Sequence, residues 1–292
     1  MKTTFRYLLK LGVVGAGVAA IGIGCAPTRD DAVPGVAGET RMAVLTSDDN
    51  GTWDVQILDI AGNDLHLVDA NLAEPVGISY HPDNFFIVNT YNSLYRVDMD
   101  GKTTPFNDEP LDSTYRTFVS EGGEVTVPGE YEATQLDPDG NVIESLSLGT
   151  QYCWMDSGPS LNGDGAAMLD VFGPTVAVWD AESGSLEPVA TSVGYSANIM
   201  GADEGGNYYV GSSYDQDIWT IDDAGNVNNL GDLSSLGINA WGVKALEGVS
   251  RNSVYALVDG NAGSTIVEVD IDGNLTEVVG SAGKVWMDVT VF

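Results

Sequence analysis

Residues 266–274 read Ile-Val-Glu-Val-Asp-Ile-Asp-Gly-Asn, a short alternating strand that ends in aspartate and is followed by a glycine turn. The same arrangement recurs along the chain, with the glycine three or four residues after the aspartate. Glycine supplies the positive φ that a tight hairpin needs, and Asp or Asn bonds the turn's own backbone. The aspartates are spaced by 39, 39, 43, 42 and 48 residues: Asp59, Asp98, Asp137, Asp180, Asp222 and Asp270.

This repeat predicts the fold. A period of about 40 residues with four short strands is the signature of a β-propeller blade, so six copies predict an all-β, six-bladed ring. Blades 2 to 6 each contain four strand-like stretches, whereas the first repeat contains three. The stretch from Val285 to Phe292 would supply the missing strand. We therefore predict a propeller over residues 41–292, closed by pairing of the C-terminal strand with the N-terminal strands.

The N-terminus has the features of a secretory signal. Lys2, Arg6 and Lys10 precede an apolar run that ends at Gly24, and this run is short for a transmembrane helix. The junction Gly24-Cys25 resembles the lipobox of bacterial lipoproteins, which implies a lipid anchor at Cys25; an ordinary signal peptide is the alternative. We predict a signal peptide over 1–24 and a flexible tether over 25–40. The resemblance implies a bacterial envelope protein at the outer membrane or cell surface.

Composition excludes several classes of function. The 292 residues include 43 Asp and Glu against 11 Lys and Arg, for a net charge of −32. Such a body repels nucleic-acid phosphates and anionic lipid, so we expect no nucleic-acid partner. The chain has two cysteines and two histidines, which leaves little material for a zinc site or a histidine-based triad.

Part of the chain resembles a known group of propellers. The segment from Pro75 to Asp98, with Asn92-Ser93-Leu94-Tyr95-Arg96-Val97 at its end, looks most like an NHL or SMP-30 blade, and the whole region resembles the six-bladed group that includes NHL-repeat, SMP-30-like and TolB-like proteins. The resemblance covers about residues 42–292 and concerns architecture. It implies a six-bladed ring and selects no single activity.

Propellers commonly bind ligands where the chain enters the innermost strands. Trp154 and Asp156, like Trp286 and Asp288, are two residues apart and so share a face of a strand, on blades opposite each other. We therefore predict an aromatic mouth with two carboxylates, able to stack on a sugar or hold a cation. The alternative is that these aromatics pack between blades. The full predicted set is Tyr115, Arg116, Trp154, Asp156, Tyr195, Trp241, Trp286 and Asp288.

A metal site is a second hypothesis. SMP-30-like hydrolases bind one divalent metal on the axis, and Glu74 resembles that family's first ligand, with Asn198 at the position of another. The Asp-x-Asp-Gly turns also carry paired carboxylates of the kind that calcium prefers, although hairpins of this composition occur without metal. Calcium or another divalent metal is therefore the cofactor to test.

Three functions follow in order of preference. The first is a non-catalytic module, a monomeric propeller that is anchored to the membrane at Cys25 and binds a protein or carbohydrate ligand. The second is a metal-dependent hydrolase, lactonase or lyase. The third is a structural component of an envelope assembly.

Overall fold

The computed structural model describes most of the chain beyond the N-terminus. The predicted signal peptide, Cys25 and nearly all of the tether lie outside the described residues. Within the described residues, no helix is long and apolar enough to cross a bilayer. The described ranges are 40–47, 51–111, 116–148, 154–159, 166–170, 173, 175–180, 184–194, 197–214, 216–222, 224–236, 240–260, 263–281 and 283–292.

In this part of the chain, twenty-four strands form six four-stranded antiparallel sheets, which are the blades. A single 3₁₀ turn, Leu233–Leu236, separates blades 5 and 6. In chain order the strands are β1 (Arg41–Ser47), β2 (Trp53–Asp59) and β3 (Asp64–Leu72) of blade 1; β4 (Gly77–His81), β5 (Phe85–Asn89), β6 (Leu94–Asp98) and β7 (Thr103–Pro105) of blade 2; β8 (Phe118–Val119), β9 (Val125–Val127), β10 (Glu132–Leu136) and β11 (Val142–Ser147) of blade 3; β12 (Trp154–Pro159), β13 (Ala166–Asp170), β14 (Thr175–Asp180) and β15 (Ser185–Thr191) of blade 4; β16 (Ile199–Ala202), β17 (Tyr208–Gly211), β18 (Asp217–Ile221) and β19 (Val227–Asp232) of blade 5; β20 (Ala240–Ser250), β21 (Ser253–Gly260), β22 (Gly263–Asp270) and β23 (Leu275–Gly280) of blade 6; and β24 (Trp286–Val291) of blade 1.

The C-terminal strand closes the ring. Strand β24 pairs with β1 in antiparallel register, with Ala43 opposite Thr290 and Val44 opposite Val289. Blade 1 therefore has the order β24-β1-β2-β3, with the last strand of the chain innermost. The innermost strands β24, β4, β8, β12, β16 and β20 each contact the next around the axis. The predicted six-bladed propeller and its mode of closure are confirmed.

The core lies between the blades. Along β1, Ala43 and Leu45 face blade 2, where they pack in one cluster with Phe86, whereas Met42 and Val44 face blade 6. Both faces of β1 are thus covered. This explains why its central residues, from Met42 to Leu45, are all apolar and buried, as in sheets that are buried on both sides.

The repeated aspartates hold the turns between the third and fourth strands. In the first of them, the Asp59 carboxylate accepts the N–H groups of Ala61 and Asn63, and the Asn63 side chain donates to it as well. These bonds, led by that of the Asn63 amide, lower the pKa of Asp59. The same bond from the asparagine N–H to the aspartate four residues earlier recurs at Asp137, Asp222 and Asp270, and at Asp203, where the turn joins the first two strands of blade 5.

Glycine is required in these turns for two reasons. Gly140 has φ +87°, which disfavours any side chain, and a Cβ there would lie 1.9 Å from the carbonyl oxygen of Phe106 in the neighbouring blade. The turns therefore pack against adjacent blades as well as reversing the chain.

A charge in the closing strand tests the ring. Val289 is fully buried in β24, so Val289→Asp places an unpaired carboxylate between blades 1 and 6. We expect a loss of at least about 3 kcal/mol in the free energy of unfolding, measured by urea denaturation followed by tryptophan fluorescence. Val285→Asp, at a 43% exposed position just before the same strand, should change it by about 0.5 kcal/mol or less. Equal losses in both variants would contradict the closure.

Candidate functional site

The two ends of the ring differ in which loops they carry. The end at which the six innermost strands begin is here called the entrance face, and the opposite end the exit face. Because neighbouring strands are antiparallel, the loops between second and third strands also lie on the entrance face, and the aspartate turns lie on the exit face.

A buried arginine crosses the axis. Arg116, 8% exposed, directly precedes the innermost region of blade 3. Its guanidinium donates to the carbonyl oxygens of Leu246 in blade 6 and Val289 in blade 1, the latter at 3.0 Å, and lies 3.5 Å from that of Met200 in blade 5. It also forms an ion pair with Glu247. The guanidinium thus satisfies carbonyl groups on the inner edges of three other blades.

Two carboxylates accept hydrogen bonds from backbone N–H groups of the innermost strands. Asp288 accepts hydrogen bonds from the backbone of Ile78 at 2.7 Å and of Val289 at 2.8 Å, and its Oδ2 lies 3.4 Å from Nε of Arg116. Glu247 accepts the N–H of Val291 at 3.3 Å. Blade 1 is thereby joined to both of its neighbours through side chains on the axis.

Two serines complete the connection. The Ser79 hydroxyl of blade 2 donates to the Thr117 carbonyl at 2.6 Å, and the Ser157 hydroxyl of blade 4 donates to the Arg116 carbonyl at 3.1 Å. All six blades are therefore linked to the segment that carries Arg116. We call Arg116, Glu247 and Asp288 the axial triad.

The electrostatics of the triad depend on burial. Asp288 is 2% exposed, and removal from water raises its pKa to about 6, although Arg116 and the N–H groups of Ile78 and Val289 lower it. The nearby Glu247 charge acts in the same direction as burial. Two carboxylates thus share one guanidinium.

Trp286, a predicted mouth residue, is 2% exposed and packs between blades 1 and 6. Its backbone N–H donates to Ser264 Oγ at 2.9 Å, and its backbone carbonyl accepts from Lys244 Nζ at 3.0 Å. Lys244 in turn pairs with Asp259 at 2.6 Å. The indole therefore lies in the interblade packing rather than on the surface.

The two predicted metal ligands lie in different blades and surroundings. Glu74 is exposed, with φ +50°, in the connection into blade 2. Asn198 is buried at the start of blade 5, where its amide oxygen accepts the N–H of Ser213 and its amide nitrogen donates to Ser213 Oγ. Among the described residues, no group of three or more His, Cys, Asp or Glu side chains is arranged to hold a metal ion. The metal site stays a prediction.

The remaining predicted residues are only partly placed. Trp154 and Asp156 lie on the innermost strand of blade 4, and Trp241 lies on that of blade 6, where the structure describes the backbone alone. Tyr115 and Tyr195 lie outside the described residues. Of the predicted set, the structure brings Arg116 and Asp288 together.

Sequence reasoning did not identify Glu247 or the exposed tyrosines of the entrance face. Tyr91, Tyr131 and Tyr214 are 52%, 52% and 79% exposed, and each lies in the loop between the second and third strands of its blade. The sequence does contain a signal for them. Each tyrosine lies in a polar stretch that closely follows an apolar strand, which is where a loop is expected. For Glu247 the signal was a lone carboxylate in an apolar strand.

Removal of the axial guanidinium tests the triad. Arg116→Met leaves the buried carboxylate of Asp288 and the partly buried carboxylate of Glu247 without their counter-charge, so we expect a loss of about 3–5 kcal/mol in the free energy of unfolding. The matched control is Arg96→Met, because the Arg96–Asp98 pair is partly exposed and should contribute about 1 kcal/mol or less. Urea denaturation of both variants gives the comparison. A small, equal loss in both would show that the triad does not hold the ring.

The pH dependence of stability tests Asp288 separately. Since burial raises its folded pKa to about 6, the folded state retains a proton that the unfolded chain releases near pH 4. The contribution of this carboxyl to the free energy of unfolding therefore falls between about pH 4 and pH 6, by about 3 kcal/mol in total, and is constant above.

We expect the free energy of unfolding of wild type to fall relative to that of Asp288→Asn when urea denaturation is repeated between about pH 4 and pH 6. Subtracting the two free energies removes the contribution of the many surface carboxylates that titrate in both proteins. If the difference between the two free energies did not depend on pH, the raised pKa of Asp288 would be contradicted.

Comparisons with known proteins extend to the fold alone. No family model matches the chain, and no curated protein matches it by sequence. The solved structures similar to it include a nidogen/laminin complex, at 11% identity and a TM-score of 0.66 over 86% of this chain and 98% of that one.

Two bacterial proteins are also similar. TolB from Acinetobacter baumannii has 15% identity and a TM-score of 0.62 over 87% of this chain and 69% of that one. A catalytically inactive histidine-to-alanine variant of virginiamycin B lyase from Staphylococcus aureus, solved with quinupristin, has 13% identity and a TM-score of 0.57 over 82% and 74%. At these identities the likeness shows a shared propeller architecture.

Proposed function

We propose that this chain is a lipid-anchored protein of the bacterial envelope whose propeller is a non-catalytic module that binds a ligand on its entrance face. The observation that carries the proposal is the set of exposed tyrosines there, contributed by blades 2, 3 and 5. Tyrosine offers a large apolar surface and a hydroxyl at little entropic cost, and it is enriched where proteins bind partners.

The axis supports the same proposal. Among the described residues, the charged side chains Arg116, Glu247 and Asp288 on the axis are bonded to one another and to the inner edges of the blades. A catalytic acid or base must reach its substrate, whereas these groups already have structural partners. The face that remains for recognition is the rim of loops around the axis.

A lyase is the alternative suggested by one of the similar structures. The histidine-to-alanine variant of that enzyme is catalytically inactive. Both histidines of this chain are placed away from the entrance. His66 is exposed on the outer strand β3, and His81 is fully buried at the exit-face end of β4, stacked on Phe85 at 4.1 Å. This placement favours the binding module over histidine-dependent lyase chemistry.

The proposed location rests on the sequence of the N-terminus. A basic head, an apolar run and the Gly24-Cys25 junction support export and lipid attachment, and the acidic body supports a ring held away from an anionic bilayer. We place the ring at the outer membrane or cell surface, as a monomer on its tether.

Site-specific photo-crosslinking in the native host tests the function. A benzophenone amino acid is placed in turn at Tyr91, Tyr131 and Tyr214, and at two exposed control positions on outer strands, Leu67 and Ile143. We expect a discrete adduct from the tyrosine positions, because a bound ligand there lies within reach of the probe.

Digestion of the adduct with protease or glycosidase separates a protein ligand from a carbohydrate. An adduct of the same size from the outer-strand positions, or none from any position, would contradict binding on the entrance face.

A further inference from the structure

We propose that the part of the entrance face formed by blades 2 and 3 docks a protein segment carrying lysine or arginine. This inference rests on the proposed binding function and names its partner class. We call this surface the blade 2–3 patch; it consists of residues 90–93, 106–111 and 128–132.

The patch is continuous across two blades. The Tyr91 loop is closed by a hydrogen bond from Thr90 N–H to the Ser93 carbonyl at 2.9 Å. The connection into blade 3 lies against this loop, since the Leu111 N–H donates to the Asn92 carbonyl at 3.3 Å. Beneath it, Leu94 and Leu111 pack in one cluster with Val127 of blade 3. Tyr91 is therefore held on a loop that is packed against the next blade.

Its charge is of one sign. The three segments contain Asp108, Glu109, Glu130 and Glu132 and no basic residue. Asp108, Glu109 and Glu132 are exposed, and the two glutamates Glu130 and Glu132 flank Tyr131 on either side. A tyrosine ring set among carboxylates attracts a cation twice, through its π face and through the neighbouring charges.

Buried polar groups without partners among the described residues lie in or next to the patch. Asn89, directly before the Tyr91 loop, is fully buried, and in the described part of the chain neither its amide oxygen nor its amide nitrogen has a partner. The buried amide oxygen of Asn107 has none there either, whereas its amide nitrogen donates to the Glu109 carbonyl at 2.6 Å. An unpaired buried polar group costs about 1–3 kcal/mol. This observation is independent of the charge of the patch.

Charge complementarity selects the partner. A second copy of this chain would bring a net charge of −32 toward four carboxylates, and an anionic lipid surface would be repelled in the same way. A neutral glycan would use the tyrosines but would gain little from the carboxylates. A segment with lysine or arginine uses both features, with the aromatic rings as anchors and the carboxylates setting orientation and association rate.

The test measures binding of a fluorescein-labelled peptide of repeating Arg-Gly-Ser units to the full chain in detergent, by fluorescence anisotropy at physiological salt. We expect Tyr91→Ser combined with Tyr131→Ser to weaken binding about tenfold or more. The control is Leu65→Ser combined with Leu67→Ser on the outer strand β3, which removes comparable exposed apolar surface and should change affinity less than about twofold.

A second comparison isolates charge. The double variant Glu130→Gln with Glu132→Gln removes two carboxylates from the patch. Its control, Glu121→Gln with Glu124→Gln, removes two exposed carboxylates from the exit-face turn of the same blade. We expect only the patch pair to weaken binding. Circular dichroism and melting curves verify folding, and the charge pair keeps the test valid if the tyrosine pair does not fold.

Equal weakening by both charge pairs, or by neither, would show attraction to the overall charge and overturn the inference, as would absence of peptide binding. Displacement of the peptide by a neutral oligosaccharide of N-acetylglucosamine would overturn it in favour of a carbohydrate. If photo-crosslinking at Tyr91 and Tyr131 still yields an adduct while the basic peptide fails to bind, the binding function stands and only the partner class is wrong.

Discussion

The structure depends on how the axis of the ring satisfies its backbone. The innermost strand of each blade has no neighbouring strand on the side that faces the axis. The buried N–H and C=O groups on that edge must therefore find other hydrogen-bond partners. Here side chains supply them. The guanidinium of Arg116 donates to carbonyls, while Asp288 and Glu247 accept N–H groups. The ring is consequently held by two kinds of bond, strand pairing of β24 with β1 at its seam and the axial triad at its centre.

This arrangement has a consequence for function. Charges that are used to pair strand edges have little freedom to bind or transform a ligand, since breaking a buried ion pair costs several kcal/mol. In the proposed function, recognition therefore falls to the loops. The tyrosines there are exposed, whereas the triad is bonded to the inner strands, so we expect loop residues to be replaceable with little effect on the bonds that hold the ring.

The sequence predicts the ring well because its determinants are local. An aspartate and a glycine, joined in four of the six turns by an asparagine, lie within a few residues of each other along the chain, and Gly140 shows why the glycine is fixed. The site is harder to predict because its determinants are distant in sequence. Arg116 and Glu247 are 131 residues apart, and no pattern near either residue indicates the other. Strand alternation placed Trp286 at the mouth, but only the packing of blade 6 on blade 1 decides that it is buried.

For the exposed tyrosines, as for Trp286, the local sequence does not decide whether an aromatic side chain is buried or exposed. Tyr91 and Tyr131 could equally have been core residues, since aromatic side chains flank strands in both situations. Their exposure follows from antiparallel topology, which brings the loops between second and third strands to the face where the inner strands begin. In the docking proposal, the carboxylates of the blade 2–3 patch attract a cation to the exposed rings beside them, whereas a carboxylate in an exit-face turn, such as Asp59, accepts N–H groups of its own turn. The same residue type thus has different roles at the two ends of the ring, and topology decides which.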